Sequence, residues 1–204
     1  MTPTECTADL RTEHRAVMAV LGVIEEMEQR FEEARSVPAE DMRDILEFLR
    51  EFVDACHHAK EERMLFPAMR EAGVAGAEDT IGLLIGEHVM GRNYVGRIAE
   101  RLDRYEAGDV TVARELAGDL HGYAELLRRH IDTEEDVLFP MADEALPPEE
   151  RRRLAEAYEE HERVTVGEGR HEEFHELIGG LRRKYLEPGA STETSRNEPL
   201  PRVP

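Results

Sequence analysis

Two stretches of the chain carry the same chemistry-bearing pattern. One is His57-His58-Ala59-Lys60-Glu61-Glu62-Arg63-Met64-Leu65-Phe66-Pro67, the other His130-Ile131-Asp132-Thr133-Glu134-Glu135-Asp136-Val137-Leu138-Phe139-Pro140. Aligned on Leu-Phe-Pro, His57 matches His130, Glu61 matches Glu134 and Glu62 matches Glu135. Both read His-x-x-x-Glu-Glu-x-x-Leu-Phe-Pro. On a helix, residues four apart lie on one face, so His57 with Glu61, and His130 with Glu134, can each reach one point in a core. Carboxylates buried at such a point are costly unless paired or metal-bound. Two carboxylates and several imidazoles there would neutralise and coordinate a pair of metal ions. A bare His-x-x-x-Glu means little in a chain with 46 acidic residues. The signal lies in two extended copies, each paired with a lone histidine on the preceding helix: His14 in Glu13-His14-Arg15 and His88 in Gly86-Glu87-His88.

Neighbouring residues have weaker claims. His58 with Glu62 offers a rival register, but Ile131 stands at the matching position of the second copy, so His58 is read as a supporting or surface residue. Glu62 and Glu135 either hydrogen-bond the ligand imidazoles, the usual way such rings are oriented, or form a solvated face. Tyr123, two turns before His130, lines the pocket or simply fills the core. Cys56 is disfavoured as a ligand because sites of this type use nitrogen and oxygen donors. His161, Glu168-x-x-His171 and Glu172-x-x-His175 echo a ferritin-like di-iron motif, but that fold needs one such motif on each of two helices. A surface amphipathic helix is the better reading.

Breakers divide the chain into the rods that must position these groups. Thr7 is predicted to cap the first helix, whose apolar positions Leu10, Val17, Leu21, Ile24 and Phe31 recur at helical spacing. Pro38 opens the second helix, which stops near Gly73. The third runs from about Glu78 to Ala107 with Gly108 as its stop, and the fourth from Asp109 to about Ala142. At about 30 residues and 1.5 Å per residue, each is about 45 Å long. Equal lengths and short connections predict an all-α, up-down-up-down four-helix bundle over residues 1–146. Pro147-Pro148 opens an additional C-terminal helical segment, 147–186, interrupted at Gly167 and Gly169, which packs on the bundle. Residues 187–204 read as a disordered tail. Gly82, Gly86, Gly91, Gly118 and Gly122 sit inside helices, where each costs about 1 kcal/mol relative to Ala. Close helix approach or a channel for a small gas would account for them.

Composition narrows the partners. The 204-residue chain is 40% hydrophobic and 35% charged, lacks Trp, and has a formal net charge of -20. So acidic a chain repels phosphate backbones and anionic lipid, so no nucleic acid and no membrane partner is expected. The short basic runs Arg151-Arg152-Arg153 and Arg182-Arg183-Lys184 are flanked by Glu. There is no leader-like or membrane-spanning apolar stretch and there are only two cysteines, which together predict a cytoplasmic protein.

The ordered set His, His-x-x-x-Glu, His, His-x-x-x-Glu resembles the hemerythrin-like (HHE cation-binding) family over roughly residues 8 to 143. The resemblance implies a metal site of His14, His57, Glu61, His88, His130 and Glu134. It implies two iron ions, oxo- or hydroxo-bridged, each with two His and both spanned by the Glu carboxylates. The oxygen-carrying hemerythrins of marine worms have a second His one turn after the helix-three ligand, where this chain has Arg92. A His4Glu2 site with more open coordination is therefore expected. That site would favour reaction with a small diatomic or peroxide ligand (O2, nitric oxide, hydrogen peroxide) over simple carriage. The alternative is a non-catalytic sensor or an iron storage or delivery protein using the same site. A homodimer is one arrangement open to the chain, and the C-terminal segment and acidic tail could bind a partner.

Overall fold

The computed structural model describes residues 6–165, 167 and 169–187, and no β-strand occurs among them. The fold is all-α. Helix α1 is Ala8–Glu32, α2 spans residues 39–71, α3 is Ala77–Glu106, α4 spans 113–145, α5 is Pro148–Thr165 and α6 is Arg170–Leu186. Glycines in the left-handed region mark the breaks: Gly73 (φ 64°) follows α2, Gly76 (80°) precedes α3, Gly108 (94°) follows it, and Gly169 (90°) precedes α6. A left-handed backbone at a helix end is where Gly carries no Cβ penalty. The expected tail begins at Glu187; from residue 188 it lies outside the described residues.

Three expectations are corrected locally. Thr7 occupies the position before α1 but does not cap the first turn. Its hydroxyl donates instead to Asp143 Oδ2 (2.6 Å), while the Cys6 N–H donates to Asp143 Oδ1 (2.9 Å). The start of α1 is thereby tied to the end of α4. Helix α4 starts later than Asp109. Asp109 Oδ1 accepts from the Thr111 N–H (3.2 Å) to open a single 3₁₀ turn, Val110–Val112, and the α-helix begins at Ala113. Finally, α2 and α4 are not regular. Leu49–His58 and Glu61–Leu65 in α2, and Glu134–Leu138 in α4, are π-helical. Both motif copies place the wide turn immediately before Phe66-Pro67 and Phe139-Pro140. Proline lacks the N–H for an i−4 bond and its ring crowds that carbonyl, so a wider turn just upstream accommodates it. Such turns are frequent at functional sites.

Packing is organised in two apolar clusters. One gathers Val17, Leu21, Ile24, Met27, Phe48, Val53, Ile98, Leu102, Leu116, Leu120 and Leu127. The other gathers Leu10, Leu65, Phe66, Ile81, Leu84, Leu138, Phe139, Leu154 and Tyr158. Each of α1 to α4 runs from one cluster to the other. The order alternates along the chain: α1 and α3 leave the second cluster, α2 and α4 leave the first. Helix α1 packs on α4 and α6, α3 packs on α4 and α2, and α5 lies against the π-helical part of α2. Between the clusters lies a polar layer in which all six predicted ligands sit.

Candidate metal centre

The structure brings His14, His57, Glu61, His88, His130 and Glu134 together, each at most 2% exposed. They form two halves. His14 Nε2 and His57 Nε2 are 3.1 Å apart, as are His88 Nε2 and His130 Nε2. The two carboxylates span the halves. Glu61 Oε1 is 3.6 Å from His57 Nε2 and its Oε2 is 3.5 Å from His88 Nε2. Glu134 Oε2 is 3.2 Å from His14 Nε2 and its Oε1 is 3.3 Å from His130 Nε2.

The tautomers follow from the other face of each ring. His57 Nδ1 donates to Glu13 (2.7 Å), His14 Nδ1 to Glu135 (2.9 Å), His88 Nδ1 to Glu62 (2.7 Å) and His130 Nδ1 to Glu87 (3.0 Å). A carboxylate only accepts, so Nδ1 carries a proton, and each ring in its neutral form turns an Nε2 lone pair inward. Four lone pairs and four carboxylate oxygens then converge. None of the oxygens of Glu61 or Glu134 has a hydrogen-bond partner. With all four rings neutral and no cation, these acceptors would repel across 3.1 Å and the buried carboxylates would be uncompensated. Cations between them would resolve both problems, and the nitrogen and oxygen donor set suits such ions.

The ionisation of the groups reports the same field. Burial works against charging His14 and His130, but Glu134 outweighs it: both are raised, His130 to about 10. Burial alone would raise Glu134, yet His130 and His14 hold it well below the usual carboxylate range. Positive charge is what this point favours, whether brought by protons or by metal.

The outer carboxylates make a reciprocal lattice. Glu62 and Glu135, from the motif copies, orient His88 on α3 and His14 on α1. Glu13 and Glu87, each directly before a lone histidine, orient His57 and His130 in return. Glu13 and Glu87 escape sequence reasoning, although the repeated dipeptide Glu-His was a signal for them. Lys60 is also missed. Fully buried, it donates to Glu13 Oε1 (2.5 Å) and to Glu162 Oε2 of α5 (3.1 Å). Burial opposes low pKa in Glu13, but His57 and then Lys60 bring it down to about 2. Arg11 holds Glu135 (2.5 Å), and Arg92, at the place of a further histidine, holds Glu62 (2.6 Å) and Asp54 (2.7 Å).

The weaker candidates sort clearly. Of the two readings of His58, supporting or surface, the surface one is overturned. The residue is 5% exposed and stacks on the His88 ring, centroids 3.9 Å apart. The π-helical segment ending at His58 turns two consecutive histidines inward. Tyr123 is buried and lines a cavity beside His88 and His130, its phenol held neutral by burial and then by Asp54. Cys56 lies with Glu13 and Glu162, not with the histidines. Burial pushes its thiol up to about 12 despite Lys60. His161 donates through Nε2 to the Ala55 carbonyl (3.1 Å) and His175 is exposed. Neither joins a group of ligating atoms found among the described residues. Glu168 and the His171 side chain lie outside the described residues. Gly91 faces Tyr123 and Gly122 faces Tyr94, whereas Gly82, Gly86 and Gly118 face open space. No described helix is long and apolar enough to cross a membrane.

Comparison with known proteins agrees with this geometry. The chain is similar to uncharacterised proteins of two mycobacteria, Mb2018 of Mycobacterium bovis and Rv1995 of Mycobacterium tuberculosis. Each is 26% identical over 166 residues, covering 81% of this chain and 64% of the relative. The chain thus spans under two thirds of their length. No solved structure matches. The profile of the hemerythrin HHE cation-binding domain matches residues 7–142, a span that contains all six converging side chains, and the chain belongs to that family.

Proposed function

We propose that α1 to α4 form an up-down-up-down bundle around a pair of iron ions, and that the centre reacts with small oxidants: O2, hydrogen peroxide or nitric oxide. His14 and His57 would hold one ion, His88 and His130 the other, and Glu61 and Glu134 would give one oxygen to each. The observation that carries this reading is the convergence of four imidazole Nε2 atoms and four carboxylate oxygens on one buried point, each ring fixed from behind by a carboxylate. Bound there, two irons would supply a two-electron redox couple. The chain's part is to hold the rings in the Nδ1–H tautomer, keep bulk water out with an apolar cluster on either side, and leave a cavity open on one face. Domain limits of 1–146 for the centre and 147–186 for the extension, and a cytoplasmic location, belong to the same proposal.

The purified chain should bind about two irons, as di-iron bundles do, with a near-ultraviolet band. Glu61→Ala or Glu134→Ala should lower the iron content; full retention in both would refute the assignment. Peroxide or nitric oxide consumed in many equivalents marks an enzyme, whereas one equivalent with a change of shape marks a sensor.

A further inference from the structure

We propose that His58 is the residue that receives the small molecule: its imidazole N–H donates a hydrogen bond to a ligand of a few heavy atoms bound on the His88–His130 half of the centre. This rests on the metal reading given under Proposed function.

The two halves are not equivalent. A cavity of about 190 Å³ opens onto His58, His88 and His130, with Tyr123, Gly91 and Val53 among its walls, while His14 and His57 do not line it. A water occupies about 30 Å³ in the liquid, so the space has room for several water-sized atoms and readily admits a molecule of two or three heavy atoms, and its walls are mainly apolar. This cavity therefore gives access to the His88–His130 half.

His58 is the unspent polar group on that side. Both of its ring nitrogens are buried and without a hydrogen-bond partner. The four inward-facing imidazoles each have a carboxylate behind them. The nearest candidate for His58, Asp54 Oδ1, is 3.6 Å from Nδ1 and is already engaged by Arg92. A nitrogen of His58 nevertheless lies within 4.8 Å of donor atoms of Glu61, His88 and His130. Its ring stacks on His88 with planes 19° apart. Two rings directed at one ion from adjacent positions cannot lie face to face in this way, because both planes would have to pass through the ion. Stacking places His58 beside the coordination position, where an incoming molecule would meet it. The repeat points the same way. The matching residue in the second copy is Ile131, which is buried in an apolar cluster, so the departure from symmetry puts a hydrogen-bond donor on one half alone.

The test uses the full iron-loaded chain and azide as the probe. Iron content and the azide dissociation constant are measured by absorbance titration for the native chain, His58→Phe, His58→Gln and Gly91→Leu. His58→Phe keeps the stacked ring and removes the donor. Iron content should stay unchanged while azide binding weakens about tenfold, the equivalent of 1.4 kcal/mol. His58→Gln should recover part of that loss. Gly91→Leu should block azide by filling the cavity, and it keeps the question answerable if a His58 variant fails to fold. Loss of about one iron in His58→Phe would make His58 a ligand and overturn the proposal, as would unchanged azide affinity in His58→Phe or Gly91→Leu. A native chain that binds no iron would fail earlier, refuting the centre itself and this inference with it.

Discussion

At the residue scale, the unusual feature is how much charge is buried around the centre. Lys60 is fully buried between Glu13 and Glu162, and Glu13 also receives the His57 Nδ1–H. Removing one member of a buried pair leaves the other charge uncompensated, which typically costs 3–5 kcal/mol. Lys60→Met should therefore lower unfolding stability by about 3 kcal/mol, and an unchanged urea midpoint would show that Glu13 is adequately held by His57 alone. The two thiols give a second check. Burial, reinforced by Asp143 at Cys6, pushes Cys6 up to about 12, and burial does the same at Cys56. Since the thiolate is the nucleophile, native protein at pH 8 should label with a maleimide far more slowly at both positions than the urea-unfolded chain. Rapid labelling of the native chain would contradict the burial.

At the element scale, the glycines inside α3 and α4 are not alike. A Cβ on Gly122 would lie 2.5 Å from the Tyr94 hydroxyl and 2.6 Å from a ring carbon, while a Cβ on Gly86 would meet nothing within 4 Å. Gly122 lets the Tyr94 ring of α3 seat against α4. Gly122→Ala should cost about 1–3 kcal/mol by overpacking, whereas Gly86→Ala should stabilise by up to about 1 kcal/mol through helix propensity. Paired thermal melts decide it, and equal shifts of the same sign would dismiss the packing argument. The π-helical turns belong to this scale too. Leu-Phe-Pro is legible as a repeat, and proline's effect on a helix is elementary. A linear pattern of apolar residues nevertheless does not announce where an extra residue is inserted into a turn. Sequence reasoning consequently read α2 and α4 as regular and left open whether His58 supports the site or lies on the surface.

At the scale of the whole molecule, the C-terminal helices are structural partners of the centre. Phe174 of α6 meets Phe48 (centroids 5.6 Å) and Phe52 (6.0 Å) of α2, with the Arg170 guanidinium 4.5 Å over its ring. Tyr185 and Lys184 both donate to Asp41 on α2. Helix α5 adds Leu154 and Tyr158 to the apolar cluster below the polar layer. Phe174→Ala should cost about 3–5 kcal/mol, detectable as a lower denaturant midpoint for the whole chain. A native-like midpoint would show that α6 folds independently of α2.

Composition and spacing alone were enough for the all-α class, the helix breaks at Gly73, Gly108 and Gly169, and the six converging residues. Those features follow from local rules: helical periodicity, the conformational freedom of glycine, and side chains four apart sharing a face. Tertiary structure decided the rest. Which carboxylate supports which imidazole is a matter between helices: Glu13 serves His57 and Glu87 serves His130, although each adjoins a different histidine in the chain. The same holds for Lys60, whose partners come from α1 and α5, and for the cavity that meets His58. Distances across helices depend on how rods pack, and no spacing along a single rod contains them.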